Sequence, residues 1–298
     1  MSEIFLDRPD IFKRPSLDWL VYAETRRSQP KGLYGNVSDS GVILSRENHE
    51  LTGSPIEYDE WAILERDAVR DRVGFLRHTL NITELARPRI EHGVQMVNLD
   101  ENMATVKDSL PLADRAFADA MFTSTPGYGS IIAPADCIVA TVAFPEERAV
   151  GQIHAGIRGL ASGVISKALR AFEDDGLDID TALVYVAPHA QGGFQMNLDE
   201  TNEVFQRATT ESHERVEELE HFLLEGKANL PKLDLTRFAL YQFVQSGVGD
   251  HNIQISPQNT LTDDTLFSDL MKVEKKGNGR FGVVAGISAS TKSPFPQD

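Results

Sequence analysis

Residues 134–159 read PADCIVATVAFPEERAVGQIHAGIRG. Ile138–Phe144 is apolar at every position but Thr141, which predicts a strand buried on both faces. Pro145, Glu146 and Glu147 punctuate it, and Ala149–His154 predicts the returning strand. A hairpin of this length brings Cys137 at its entrance beside His154 at its exit, seventeen residues on in sequence. Ala155-Gly156-Ile157-Arg158-Gly159 follows, and its two glycines let backbone or ligand come close on either side of Arg158.

Upstream, the Val and Met alternation in Arg87–Leu99 predicts a strand bearing His92. Ala118–Thr123 predicts a second, closed by a Pro126-Gly127 turn. Trp61, Leu64, Val69, Val73 and Leu76 recur at three- to five-residue steps, which predicts an amphipathic helix over Tyr58–Leu80. Residues 1–60, broken by prolines, charges and Gly/Ser turns, read as an irregular region packed on the domain.

Downstream, Leu160–Phe172 places Leu160, Val164, Leu169 and Phe172 on one helical face. Leu183–Ala187 predicts a strand ending at Pro188-His189. Residues 198–227 predict one or two acidic helices, Leu235–Val248 a helix closing on Gly247, and Arg280–Ser288 a last strand. No repeat or low-complexity linker divides the chain, and strands and helices mix without the alternation of a doubly wound fold. The expectation is one α+β (layered α/β) domain over residues 61–298, with mixed β-sheet layers flanked by helices.

The 298-residue chain carries 45 acidic against 29 basic side chains, a net charge of −16. That balance argues against nucleic acid, whose phosphates are held by Lys and Arg. A phosphate-bearing ligand would need a local cluster of arginines or backbone N–H groups. The single cysteine forms no intramolecular disulfide, so nothing requires an oxidising compartment. No signal-peptide core opens the chain and no apolar run approaches membrane-spanning length, so a cytoplasmic protein without membrane contact is expected.

Two imidazoles and a thiolate, from His92, Cys137 and His154, are a transition-metal ligand set; thiolate plus imidazole is equally a nucleophile–base pair. A lone cysteine in an apolar strand is more often a small buried hydrophobe. Asp136 beside it makes little packing sense without a cationic partner. Arg72 sits in a charge run that would ordinarily be a solvated helix face. His189 reads as a turn histidine, and His49, His78, His213, His221 and His251 as surface residues.

The Asp136-Cys137 pair followed by His154-Ala-Gly-x-Arg158-Gly resembles the core of the YfiH family, also described as laccase-domain or multi-copper polyphenol oxidase-like proteins. Ala118–Thr123, the His92-Gly93 segment and the closing Gly279-Arg280 strand are similar to further family segments, so the likeness covers roughly residues 60–288. It implies metal ligands at His92, Cys137 and His154, and a phosphate-holding arginine at Arg72, with Asp71 where the family has Asn. Arg158 matches the arginine of the glycine turn, and Asp136 becomes a candidate for orienting a ligand. Ile157 replaces the usual Trp, Ile90 the Gln before His92, and Val139 the Pro after Cys137, so the pocket walls differ.

The activity this resemblance implies is zinc-dependent purine nucleoside phosphorolysis, giving ribose 1-phosphate and free base, together with adenosine deamination. Cys137, His154 and Arg72 would be the catalytic residues, Arg72 and Arg158 the phosphate-binding ones, and nucleoside and phosphate the small-molecule partners. Copper, as in a laccase-like polyphenol oxidase, is the alternative cofactor. After the trio takes two of eight histidines, however, six remain to hold any further copper, mostly on polar helices. A cysteine hydrolase or amidase, including one that edits peptidoglycan precursors, is the third reading. The oligomeric state stays open.

Overall fold

The computed structural model describes residues 4–5, 9–25, 73–211, 219–271 and 279–289. Two large mixed sheets are stacked face to face. The first has the order β1 (Ile4–Phe5), β2 (Leu20–Thr25), β14 (Val283–Ile287), β6 (Tyr128–Ile132) and β3 (Glu84–Ala86). The second runs β13 (Ile253–Ile255), β9 (Leu183–Val186), β7 (Ile138–Phe144), β8 (Ala149–Ala155), β5 (Ala120–Thr123) and β4 (Met96–Asn98). A small third sheet joins β10 (Phe194–Gln195), β12 (Lys232–Leu233) and β11 (Leu223–Leu224).

The expected hairpin is the centre of the second sheet. β7 and β8 pair antiparallel from Ile138↔Ala155 to Phe144↔Ala149, with Val139 opposite His154. Successive side chains point to opposite faces of a strand, and both faces here are covered. Ile138, Ala140, Val142 and Phe144 enter a core shared with the helices Ile157–Ala161, Val164–Asp174, Leu198–Thr210 and Leu235–Gln245. Val139 and Ala143 face the first sheet, where they join Tyr22, Ile132, Val283 and Ala285. Residues 73–79 are helical, and Val73, Leu76 and Leu80 cover the far side of the first sheet against Val21, Leu85, Ile131 and Val284. The layers therefore run helix, sheet, sheet, helices, the layered α+β domain expected from the sequence.

Three expectations change. The strand predicted over Arg87–Leu99 shrinks to Met96–Asn98, and His92 lies in a bend at φ 61°. The helix predicted over Leu160–Phe172 is two helices, because Gly163 adopts φ 72° between Ala161 and Val164. Residues 1–60, expected to be irregular and only partly extended, supply two strands among the described residues. Leu20–Thr25 pairs with both Ile4–Phe5 and Val283–Ile287, binding the two ends of the chain into one sheet. No helix among the described residues is long and apolar enough to cross a membrane.

Candidate metal centre

The trio converges. Ligand-capable atoms of His92, Cys137 and His154 all lie within 4.8 Å of one another. The two imidazoles meet edge to face, with ring centroids 4.9 Å apart and planes at 82°. His154 is buried, while His92 and Cys137 are partly exposed along a cleft of about 550 Å³. Gly156 leaves the trio its room: a Cβ there would sit 3.0 Å from His92 Cδ2 and 3.1 Å from Cys137 Sγ.

Each donor is aimed by a different device. His154 is carried by strand β8, one pair in from the open end of the β7–β8 ladder. Cys137 follows Asp136, whose φ of 137° is rare for a non-glycine residue and must be held in place. The Asp136 carboxylate does this by accepting hydrogen bonds from the Thr260 hydroxyl at 2.6 Å and from the Asp269 and Leu270 backbone at 2.8 and 2.9 Å. Asp136, read from the sequence as a candidate for orienting a ligand, stands directly before Cys137. Its carboxylate is spent on the 260–270 loop, and it acts on Cys137 through the backbone.

The carboxylate that touches the trio is Asp119, fully buried. Its Oδ1 accepts from the His92 backbone at 2.9 Å and lies 3.3 Å from His154 Nδ1; its Oδ2 accepts from Gly93 N at 2.9 Å. One side chain thus fixes the left-handed bend at His92 and the tautomer of His154, with Nδ1 as donor and Nε2 left for the cleft side. A ligating histidine ordinarily donates its other ring N–H to such a group. The Ala118-Asp119-Ala120 segment belongs to a stretch similar to the family's, but neither that likeness nor its composition assigns Asp119 a role at the site.

Electrostatics in the metal-free protein follow from this packing. Burial pushes the Cys137 thiol up, but hydrogen bonds from His154 and His92 outweigh it and bring the pKa down to about 6. Burial likewise opposes charge on His154, but the hydrogen bonds to Asp119 and Cys137 raise it to about 9. At neutral pH the pair is thiolate and imidazolium. A metal ion binding there replaces the imidazolium proton, so the donor set fits a cation.

The remaining candidates separate. Arg158 lines the cleft, and its Nε donates to Glu203 Oε2 at 2.7 Å. Arg72 lies outside the described residues. His189 is fully buried, donating from Nδ1 to the Ala187 carbonyl and accepting at Nε2 from the Thr236 hydroxyl, a structural role. Ile90 and Ile157 both line the cleft. So do Arg87, Arg89, Arg115 and Arg280, a local concentration of arginine in a strongly acidic chain.

The chain belongs to the family described as multi-copper polyphenol oxidoreductase laccase, whose model matches residues 65–288. Its fold is that of YlmD from Geobacillus stearothermophilus, with a TM-score of 0.63 over 92% of this chain and 94% of that one at 17% identity. YfiH from Bacillus licheniformis gives 0.63 over 93% and 98% at 16% identity. In sequence, the chain is 38% identical over 101 residues to a purine nucleoside phosphorylase of Aquifex aeolicus, covering 34% of this chain and 45% of that protein. It is 32% identical over 80 residues to one of Xylella fastidiosa, covering 27% and 29%. The matched stretches span less than half the length of either relative.

Proposed function

We propose that this protein is a zinc-dependent purine nucleoside phosphorylase, acting on adenosine or inosine, with adenosine deamination as an accompanying activity. The observation that carries the reading is the convergence of His92, Cys137 and His154 at a cleft rich in arginine, in a chain whose partial relatives bear that name. His92, Cys137 and His154 would hold the ion. A zinc ion held by three protein ligands supplies Lewis-acid polarisation of a ligand oxygen or nitrogen.

The chain's own residues do the rest. Arg72 and Arg158 hold inorganic phosphate. A phosphate oxygen bonds to the ribose C1′ as the C1′–N bond to the purine breaks, and the departing base takes up the proton that the hydrogen phosphate gives up. Asp119 keeps the His154 ring in one tautomer throughout. The test is to incubate purified, metal-loaded protein with adenosine or inosine, with and without phosphate. Ribose 1-phosphate with free base, formed only with phosphate, supports the reading; neither product nor inosine from adenosine refutes it.

A cysteine hydrolase is the second reading, favoured by one observation. Cys137, His154 and Asp119 form a nucleophile–base–orienter series. Amide hydrolysis that survives complete metal removal and is lost in Cys137→Ala would favour it. The polyphenol oxidase reading predicts several copper ions per chain; among the described residues the trio is the one such donor group found.

A further inference from the structure

We infer that Arg89 and Phe117 form the platform on which the planar aromatic part of the substrate stacks, an inference that rests on the purine reading above. The Arg89 Cζ atom lies 4.1 Å from the centre of the Phe117 ring, and both side chains line the same cleft as the trio. Phe117 keeps 39% of its surface exposed in the cleft wall, next to the fully buried Ala118. The guanidinium makes no ion pair among the described residues. Its one hydrogen bond, Nη1 to the Ala113 carbonyl, is stretched to 3.5 Å. Neither group is consumed by the fold.

Backbone geometry fixes the pair. Arg89 N donates to the Ala116 carbonyl at 3.1 Å and Ala118 N to the Arg89 carbonyl at 3.0 Å, a single parallel bridge that sets the two side chains next to each other. The same two segments are fastened again a few residues on, where Asp119 binds His92 and Gly93. The platform and the donor trio are therefore parts of one cross-linked unit, at a fixed offset. A guanidinium plane stacks on aromatic rings and leaves its N–H edges free. Its complement is a flat, π-faced ligand with ring nitrogen acceptors, which describes a nucleobase and not a sugar or an aliphatic chain.

Titration of the fluorescent nucleoside 2-aminopurine riboside, whose emission is quenched on stacking, tests this directly. Saturable quenching is expected in the parent protein. In Phe117→Ala binding should weaken about tenfold or more, the usual loss when an aromatic stacking partner is truncated; Arg89→Lys should weaken it in the same direction. Phe117→Leu, which keeps an apolar side chain of similar bulk, guards against a folding defect and should weaken binding as Ala does. Quenching by the parent protein that Phe117→Leu weakens upholds the platform even if no phosphorolysis is found, in which case only the activity reading falls. Parent-level affinity in Phe117→Leu, or no saturable quenching at all, overturns the platform. Arg89→Lys that raises KM for phosphate alone would make Arg89 an anion site and overturn it too.

Discussion

Gly156→Ala is the narrowest perturbation the site offers. The added methyl would lie 3.0 Å from His92 Cδ2 and 3.1 Å from Cys137 Sγ, with His154 Cε1 at 3.9 Å. Non-bonded carbon contacts are optimal at about 3.5–4.0 Å, so the His92 ring and the Cys137 sulfur must each give way by a few tenths of an ångström. Metal–ligand distances tolerate only about 0.2 Å. The backbone does not object: φ −81° and ψ 179° at Gly156 suit any residue. Replacing Gly by Ala where the conformation allows it stabilises by about 0.4–1 kcal/mol through the unfolded chain, which partly offsets the crowding. The expected outcome is a zinc affinity at least about tenfold weaker, comparable to losing an outer contact of a metal site. The thermal midpoint of the metal-free protein should move by only a few degrees. Competition with a chromophoric chelator measures the first and circular dichroism the second. Gly74→Ala, where a Cβ meets nothing within 4 Å, is the neutral control. Zinc binding by Gly156→Ala at parent affinity would refute the geometry.

Three further outcomes follow from the same contacts. Asp119→Asn should lower zinc affinity by about 10–100-fold, because it removes the negative charge beside the His154 Nδ1 proton and sets an amide NH2 against an N–H group that the carboxylate now accepts from; chelator competition reads this. Zinc affinity should rise with pH by about tenfold per unit between about 6 and about 9, where the His154 proton must leave, and level off above that. Below about 6 the slope should steepen as the Cys137 thiol also holds its proton, and a flat profile across this range would contradict the assigned protonation states. Asp136→Ala, which leaves Thr260, Asp269 N and Leu270 N without their acceptor, should cost about 2 kcal/mol of stability, seen as a lower thermal midpoint.

What could be read from the sequence was what is local. The β7–β8 hairpin showed itself because one apolar run, one Pro-Glu-Glu turn and one returning strand lie within 26 residues, and Cys137 and His154 came with it. His92 was found as a ligand candidate but misplaced on a strand. Its bend is set by a carboxylate 27 residues away, which no pattern around His92 announces. Asp119 was missed for the same reason. The strand Leu20–Thr25 escaped because all six residues are buried, Glu24 and Thr25 included, so it shows no polar–apolar alternation. Its partner Val283–Ile287 lies at the other end of the chain. Ser162-Gly163 looked like part of a helix because the apolar spacing runs through it; the left-handed Gly163 divides it.

X-ray absorption at the zinc edge of the loaded protein examines most directly whether one ion draws together these three side chains. The expected spectrum has one sulfur near 2.3 Å and two imidazole nitrogens near 2.0–2.1 Å, with the sulfur lost in Cys137→Ala and one imidazole lost in His92→Ala. A zinc environment without sulfur, or one unchanged in Cys137→Ala, would contradict it.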